Sequence, residues 1–140
     1  ADFRERIDRA ININEVCDVN PFGVIGTIAA YTEGEEWLEQ LISYLKGNYD
    51  MLADYCRRNL PQLPICRLEG TYLVWMNIEA LGLSASELEE LLLRDHKLWL
   101  NAGAMYGNDR FIRWNIACPR TRLAEALERF SNFVLRNDKN

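Results

Sequence analysis

The sequence of 140 residues predicts a mixed fold, either α+β or a fragment of an α/β domain. The first observation is the order of the patterns, because segments with helical periodicity come first and strand-like segments follow them. The second is the length, which suits about one domain. The third is the composition: 49% hydrophobic and 26% charged residues are typical of a soluble globular chain.

The first part of the chain is predicted to be helical. Residues 2–9 are charged, and they are predicted to form a short helical turn. Asn20 followed by Pro21 is typical of a helix N-cap and of the first helical position. These two residues predict a helix that runs through Tyr31.

A long amphipathic helix is predicted next. Thr32 and Glu35 have the spacing of a capping box, and Pro61 marks the end of the helix. At about 1.5 Å per residue the helix spans roughly 35–40 Å, a length that suits a helix joining two domains. The apolar residues that recur every three or four positions along it are Trp37, Leu38, Leu41, Ile42, Leu45, Tyr49, Leu52, Cys56 and Leu60.

Strand patterns characterise the second half of the chain. Runs of β-branched and aromatic residues predict a strand at 65–68 and, after a bend, another at 71–78. Two further strands are predicted at 98–102 and 111–117.

Two more helices are predicted among and after these strands. Ser84 and Glu87 form a second capping box, which predicts a helix that continues toward Asp95. The last helix is predicted to open at residues 119–121. Its apolar face consists of Leu123, Leu127, Phe130 and Val134.

Charge and cysteine usage argue against several classes of protein. The formal net charge is −5 and the chain has no basic cluster, which argues against a nucleic-acid surface. No stretch is long and apolar enough to predict a membrane span. Scattered cysteines without a C-x-x-C pair argue against a metal site and favour reduced thiols in the cytoplasm. These cysteines are Cys17, Cys56, Cys66 and Cys118.

Residues 111–117 carry the candidate binding group. The period of two places Arg113 and Asn115 on one face of the strand. A planar guanidinium on a rigid strand can grip a carboxylate through two parallel hydrogen bonds. From geometry alone, the commoner alternative is an arginine on a solvated sheet face. The opposite face, which is predicted to be core, consists of Ile112, Trp114, Ile116 and Cys118.

Six motifs in register resemble a known family. In chain order they are NPFG at 20–23, AAY at 29–31, G-x-x-WL at 34–38, LEGTYLVW at 68–75, NAG-x-x-YG at 101–107 and FIR-x-NIACPR at 111–120. Together they resemble the C-terminal third of class I/II aminotransferases, which are fold-type-I enzymes that use pyridoxal 5'-phosphate (PLP). The fourth and sixth motifs look most like the cystathionine β-lyase or C-S lyase branch.

The resemblance implies a fold and a division of the chain. Residues 1–60 are expected to be the end of the large domain and the interdomain linking helix. Residues 61–140 are expected to be the C-terminal small domain. That domain would be a mostly antiparallel sheet of three to four strands packed with helices.

The resemblance also implies a site. Arg113 matches the arginine that binds the α-carboxylate of the amino-acid substrate in this family, and Gly70, Tyr72 and Asn115 are secondary candidates. PLP would be the cofactor, and the complete enzyme would be a homodimer. The reaction would expel a β-thiolate and give ammonia and pyruvate.

The lysine that forms a Schiff base with PLP is missing from the matched pattern. Lys46, Lys97 and Lys139 all lack the family's Ser-x-x-Lys or Ser-Lys setting. The chain, which opens Ala-Asp-Phe-Arg, is therefore expected to be a fragment that is inactive alone. It is expected to self-associate through apolar surface left on residues 20–60.

Two other functions stay open at this point. One is an amino-acid aminotransferase of class I/II, and the other is a stand-alone module for carboxylate binding or dimerisation. His96 at a helix C-terminus is expected to be structural. Trp75, Trp99 and Trp114, all on predicted strands, are expected to belong to the core.

Overall fold

A computed structural model describes residues 2–13 and 19–137 of the chain. In chain order the helices and strands are α1 (Asp2–Asn12), α2 (Pro21–Glu33), α3 (Glu35–Asn59), β1 (Leu73–Asn77), α4 (Ala85–His96), β2 (Asn101–Ala102), β3 (Phe111–Asn115) and α5 (Arg120–Asn137). Two short 3-10 helices occupy Glu79–Leu81 and Gly103–Tyr106. Cys17 and Lys139 lie outside the described residues.

The chain divides into two compact units, Ala1–Leu41 and Ile42–Asn140. The second unit contains all three strands, and it groups most of α3 with them. The boundary expected at residue 60 concerns the domains of a complete enzyme and stays a prediction.

The sheet has three antiparallel strands in the order β1-β3-β2. This confirms the predicted antiparallel sheet of three to four strands. The strand predicted at 65–68 is wrong, since only Ile65 forms an isolated bridge, with Met76. This bridge consists of two backbone bonds: the Cys66 amide donates to the Trp75 carbonyl at 2.7 Å, and the Asn77 amide donates to the Pro64 carbonyl at 2.9 Å.

Of the three predicted helix caps, two are confirmed and one is wrong. The Asn20 side chain accepts from the Phe22 amide at 2.9 Å and caps α2. Ser84 and Glu87 form the reciprocal capping box of α4. Thr32 does not cap α3, because it lies within α2 and its hydroxyl donates to the Ile28 carbonyl at 2.8 Å. A threonine can bond its own helix in this way as well as cap the next one.

One face of the sheet packs on the helices and forms the core of the second unit. Ile112, Trp114 and Ile116 are fully buried, as the period of two predicts, and Cys118 is half-buried. The largest fully buried side chains include Trp114, Phe130, Leu52, Leu60, Leu63, Met76, Ile78, Leu88, Leu92, Ile112, Ile116 and Leu123.

The three strand tryptophans differ in environment. Trp114 belongs to the core and packs edge-on against Phe130, with ring centroids 5.3 Å apart. Trp75 is half-buried on the opposite face of the sheet. The expectation for Trp99 is wrong, because its side chain is 68% exposed. It lies before β2 begins, and its indole N–H donates to Glu89 Oε1 at 2.8 Å.

The helices of the first unit leave apolar side chains uncovered. Neither α1 nor α2 contains a buried residue. Phe22 and Tyr31 are 82% and 89% exposed. Self-association through this surface stays a prediction. Across residues 2–13 and 19–137, no helix combines the length and apolarity that a membrane crossing requires.

The described cysteines Cys56, Cys66 and Cys118 are free. Burial raises the pKa of the Cys56 thiol to about 11, so this thiol stays protonated near neutral pH. Burial also raises the pKa of Cys118.

The Glu87 carboxylate in the capping box of α4 should contribute a stabilisation that depends on pH. The Ser84 hydroxyl and amide both donate to the Glu87 carboxylate, and these bonds lower its pKa from the usual value of a glutamate. A lowered pKa in the folded state means that this stabilisation is present above the unfolded value and is lost as the pH falls through the folded value. We expect Glu87→Gln to lower the Tm, and the difference from wild type to be smaller in acid, at about pH 3, than at about pH 7, because the stabilisation is lost as the pH falls through the folded pKa of Glu87.

Thermal unfolding at the two pH values measures this effect. Glu128→Gln, a change at an exposed position of α5, is the control, and its Tm difference should be smaller at neutral pH. A Glu87→Gln difference that stays constant down to pH 3 would contradict the assignment.

Candidate substrate-carboxylate site

Arg113 lies at the centre of β3, on the face of the sheet opposite to the core. The strand register places Trp75 of β1 on one side of it and Asn101 of β2 on the other. Its neighbours along the strand, Ile112 and Trp114, turn to the core. The alternation predicted for residues 111–117 therefore brings the guanidinium to the outward face, where it is half-buried.

Two side chains hold the guanidinium of Arg113. Its Nη2 donates to Asn101 Oδ1 at 3.1 Å. Its Cζ lies 4.5 Å from the centre of the Tyr106 ring, within the range of a cation–π contact. The Nε–H is buried and has no hydrogen-bond partner. Arg113 makes no ion pair within the described part of the chain.

An aromatic cluster supports the Tyr106 ring. Trp75 meets Tyr106 edge-on, with ring centroids 5.4 Å apart, and it meets Phe111 edge-on at 6.4 Å. A surface cavity of about 260 Å³ lies against this cluster. Its lining residues are Cys66, Trp75, Tyr106, Asn108 and Phe111.

Arg113 differs from Arg110, three residues before it, in its charged partners. Arg110 is more exposed and is paired with Glu79, with Nη1 and Oε1 2.8 Å apart. A half-buried cation usually has an anionic partner, because removal from water is costly. Arg113 has none within residues 2–13 and 19–137, so its geometry suits a carboxylate supplied by a ligand.

The structure describes the surroundings of the other predicted site residues, Asn115, Tyr72 and Gly70. Asn115 is exposed on the same strand, and its Oδ1 accepts from the Ala117 amide at 2.9 Å. Tyr72 is 43% exposed, and its backbone carbonyl accepts from the Ile116 amide at 3.0 Å. Gly70 has open space around it. None of these three is among the groups that hold the guanidinium, and their roles stay predictions.

Asn101 and Tyr106 were not predicted as partners of Arg113. Both belong to the NAG-x-x-YG motif at 101–107. The pairing of Asn101 with Arg113 depends on the register between β2 and β3, which the local sequence does not specify. The NAG-x-x-YG motif marked both residues in the sequence, but it did not indicate that they contact Arg113.

The two described lysines are engaged away from Arg113. Lys46 Nζ lies 2.6 Å from Asp50 Oδ2 on the exposed side of α3. Lys97 Nζ donates to the Arg94 carbonyl at 2.9 Å at the end of α4. His96 packs edge-on against Phe133 at 5.5 Å. These residues therefore form contacts typical of surface and packing roles.

Comparisons with known proteins cover nearly the whole chain. The family model of aminotransferase class I and II matches residues 9–130. The cystathionine beta-lyase PatB of Bacillus subtilis is 30% identical over 128 residues, which are 90% of this chain and 33% of PatB.

Two solved structures are also similar. A PLP-bound structure from Clostridium difficile 630, named as an aminotransferase, is 39% identical with a TM-score of 0.85, over 94% of this chain and 34% of that chain. The PLP-bound C-S lyase from Staphylococcus hominis is 26% identical with a TM-score of 0.80, over 92% and 35%. The chain thus spans about a third of the length of the relatives it matches.

Proposed function

The chain belongs to the aminotransferase class I and II family, and on that premise we propose that it is the C-terminal part of a PLP-dependent C-S lyase. Two similar proteins are named a cystathionine beta-lyase and a C-S lyase, and these names support this reaction. The name of the Clostridium difficile structure keeps transamination as the alternative. The substrates would be sulfur-containing amino acids of the cystathionine type.

The observation that carries this proposal is the unpaired Arg113 on the outward face of the sheet. Its Nη1 has no partner among the described residues, and Nη2 uses only one of its two N–H groups on Asn101. These two nitrogens can donate parallel hydrogen bonds to the α-carboxylate of an amino acid. Holding the carboxylate fixes the orientation of the bonds at Cα, which reduces the entropy cost of reaching the reactive geometry.

PLP, when bound, supplies an electron sink for the pair of electrons left at Cα. The residues described here fit the carboxylate-binding part of such a site but not the lysine part, because Lys46 and Lys97 are engaged elsewhere. We place the lysine that forms the Schiff base in the part of the complete protein that this chain does not cover. The chain alone would then be inactive.

The domain assignment belongs to the same proposal. Residues 1–60 would end the large domain and link it to the small one, and residues 61–140 would form the small domain. The exposed apolar side chains of α2, such as Phe22 and Tyr31, suit a segment that packs on the large domain. The complete protein would act as a homodimer in the cytoplasm.

Product analysis tests the reaction. We expect the complete protein with PLP to convert L-cystathionine and water into homocysteine, pyruvate and ammonia in equal amounts, without any added 2-oxo acid. The 140-residue chain with the same PLP should give none of these products. Turnover that requires a 2-oxo acid and releases no ammonia would identify an aminotransferase instead. Turnover by the chain alone would overturn the placement of the lysine.

A further inference from the structure

The orientation of Arg113 is fixed from two directions that differ in chemistry. The guanidinium lies over the Tyr106 ring, with Cζ 4.5 Å from the ring centre. The Asn101 side-chain oxygen accepts from Nη2 at 3.1 Å. A ring contact and a hydrogen bond from two different side chains together restrict the orientation of a planar group.

In this orientation the Nε side of the guanidinium is buried, and the end that carries Nη1 and Nη2 is free. Nε is buried without a partner, so holding the group here leaves one donor unsatisfied. Nη1 also makes no bond among the described residues, but it is not among their buried unpartnered atoms. The end formed by Nη1 and Nη2 is therefore available to an external acceptor. An unsatisfied buried donor in a folded protein calls for a specific explanation.

Tight local structure fixes the position of Tyr106. The 3-10 helix that carries it begins at Gly103, where a Cβ atom would collide with the carbonyl oxygens of Asn108 and Phe111. The helix ends at Gly107, which has a φ of +86°. Trp75 then meets the ring edge-on from β1. The ring is thus held by its turn and by a neighbouring strand.

A separate contact fixes Asn101. Glu89 of α4 accepts from the Ala102 amide through Oε2 at 2.6 Å and from the Trp99 indole through Oε1 at 2.8 Å. These bonds tie the two-residue strand β2 to the core helix. Asn101 is thereby held opposite Arg113 in the register of the sheet.

We infer that Tyr106 and Asn101 are positioning residues, which hold the Arg113 guanidinium so that its Nη1 and Nη2 end meets the substrate carboxylate. This inference rests on the proposed function of Arg113. Neither residue needs to contact the substrate. Their contribution to activity requires Arg113. A general structural effect would persist without this arginine, so the two can be distinguished.

A double-mutant cycle in the complete protein tests the inference. We expect Tyr106→Leu and Asn101→Ala each to lower kcat/KM for L-cystathionine about tenfold. In an Arg113→Ala background the same changes should cause no further loss, because they act through the arginine. Tyr106→Phe keeps the aromatic face and should restore most of the loss. Tyr44→Leu makes the same chemical change at another arginine–tyrosine contact, that of Arg120 over the Tyr44 ring at 4.9 Å, and is the matched control.

The outcomes distinguish a failure of the proposed function from a failure of the positioning role. Arg113→Ala without effect would overturn the proposed function and, with it, this inference. A large effect of Arg113→Ala, with Tyr106→Leu losses that persist in the double variant, would overturn only the positioning role.

The 140-residue chain offers a readout that does not depend on activity. The buried Nε–H of Arg113 should give a resolved ¹H–¹⁵N signal, shifted by the Tyr106 ring current and assigned by its loss in Arg113→Lys. We expect Tyr106→Leu to abolish that shift and Tyr106→Phe to retain it. An unchanged signal in Tyr106→Leu would show that the ring does not cover the guanidinium, and the inference would fail.

Discussion

In the complete protein, Arg113→Ala is expected to lower kcat/KM for the amino-acid substrate by about 100-fold or more. The reason is that the α-carboxylate would enter a partly buried site without its cation. Loss of one partner from a hydrogen-bonded charge pair in such a site costs roughly 2–5 kcal/mol. Steady-state kinetics with L-cystathionine measures the loss, and thermal unfolding of the variant shows whether the fold is retained.

Two comparison variants show whether geometry or charge alone matters. Arg113→Lys keeps the positive charge but lacks the planar fork, so an intermediate loss is expected. Arg110→Ala removes a nearby arginine whose ion pair with Glu79 is exposed, and its effect should stay below about twofold. If Arg110→Ala were as damaging as Arg113→Ala, the assignment of the carboxylate to Arg113 would be wrong.

Patterns with short-range causes predicted much of this fold. The period of two in 111–117 requires only that one face of a strand be buried, and Ile112 and Trp114 are fully buried as expected. The capping box at Ser84 and Glu87 depends on groups three residues apart, and it forms as predicted. In both cases the determining contacts lie within the segment itself.

The sequence predictions failed where one residue can form either of two local contacts, or where a contact joins segments that are distant in the sequence. Thr32 could cap α3 or bond back into α2, and the structure uses the second solution. Trp99 is apolar enough for the core, but β2 begins only at Asn101, so Trp99 precedes the strand and its side chain is exposed. The contact of Tyr106 with Arg113 joins a turn to a strand, so no spacing rule along the chain could indicate it.

Asn48 is a buried polar residue on α3, and its removal is expected to cause the largest loss of stability among the polar substitutions considered. Its Nδ2 donates to the carbonyls of Ile116 and Cys118 at 2.9 and 3.0 Å, and its Oδ1 accepts from Arg120 Nε at 3.1 Å. We expect Asn48→Leu to lower the free energy of unfolding by about 2–4 kcal/mol, because it leaves buried groups without partners.

Urea unfolding of the 140-residue chain measures this loss, and Asn59→Leu is its matched control. Asn59 also lies on α3 and donates a side-chain hydrogen bond to a backbone carbonyl, that of Tyr55, but it is exposed. Its loss should cost less than about 0.5 kcal/mol. The carbonyl of Ile116 lies just beyond the strand that carries Arg113, so the same bonds fix the end of that strand. Equal losses in the two variants would mean that burial at Asn48 contributes nothing, and that α3 does not hold β3 in place through this residue.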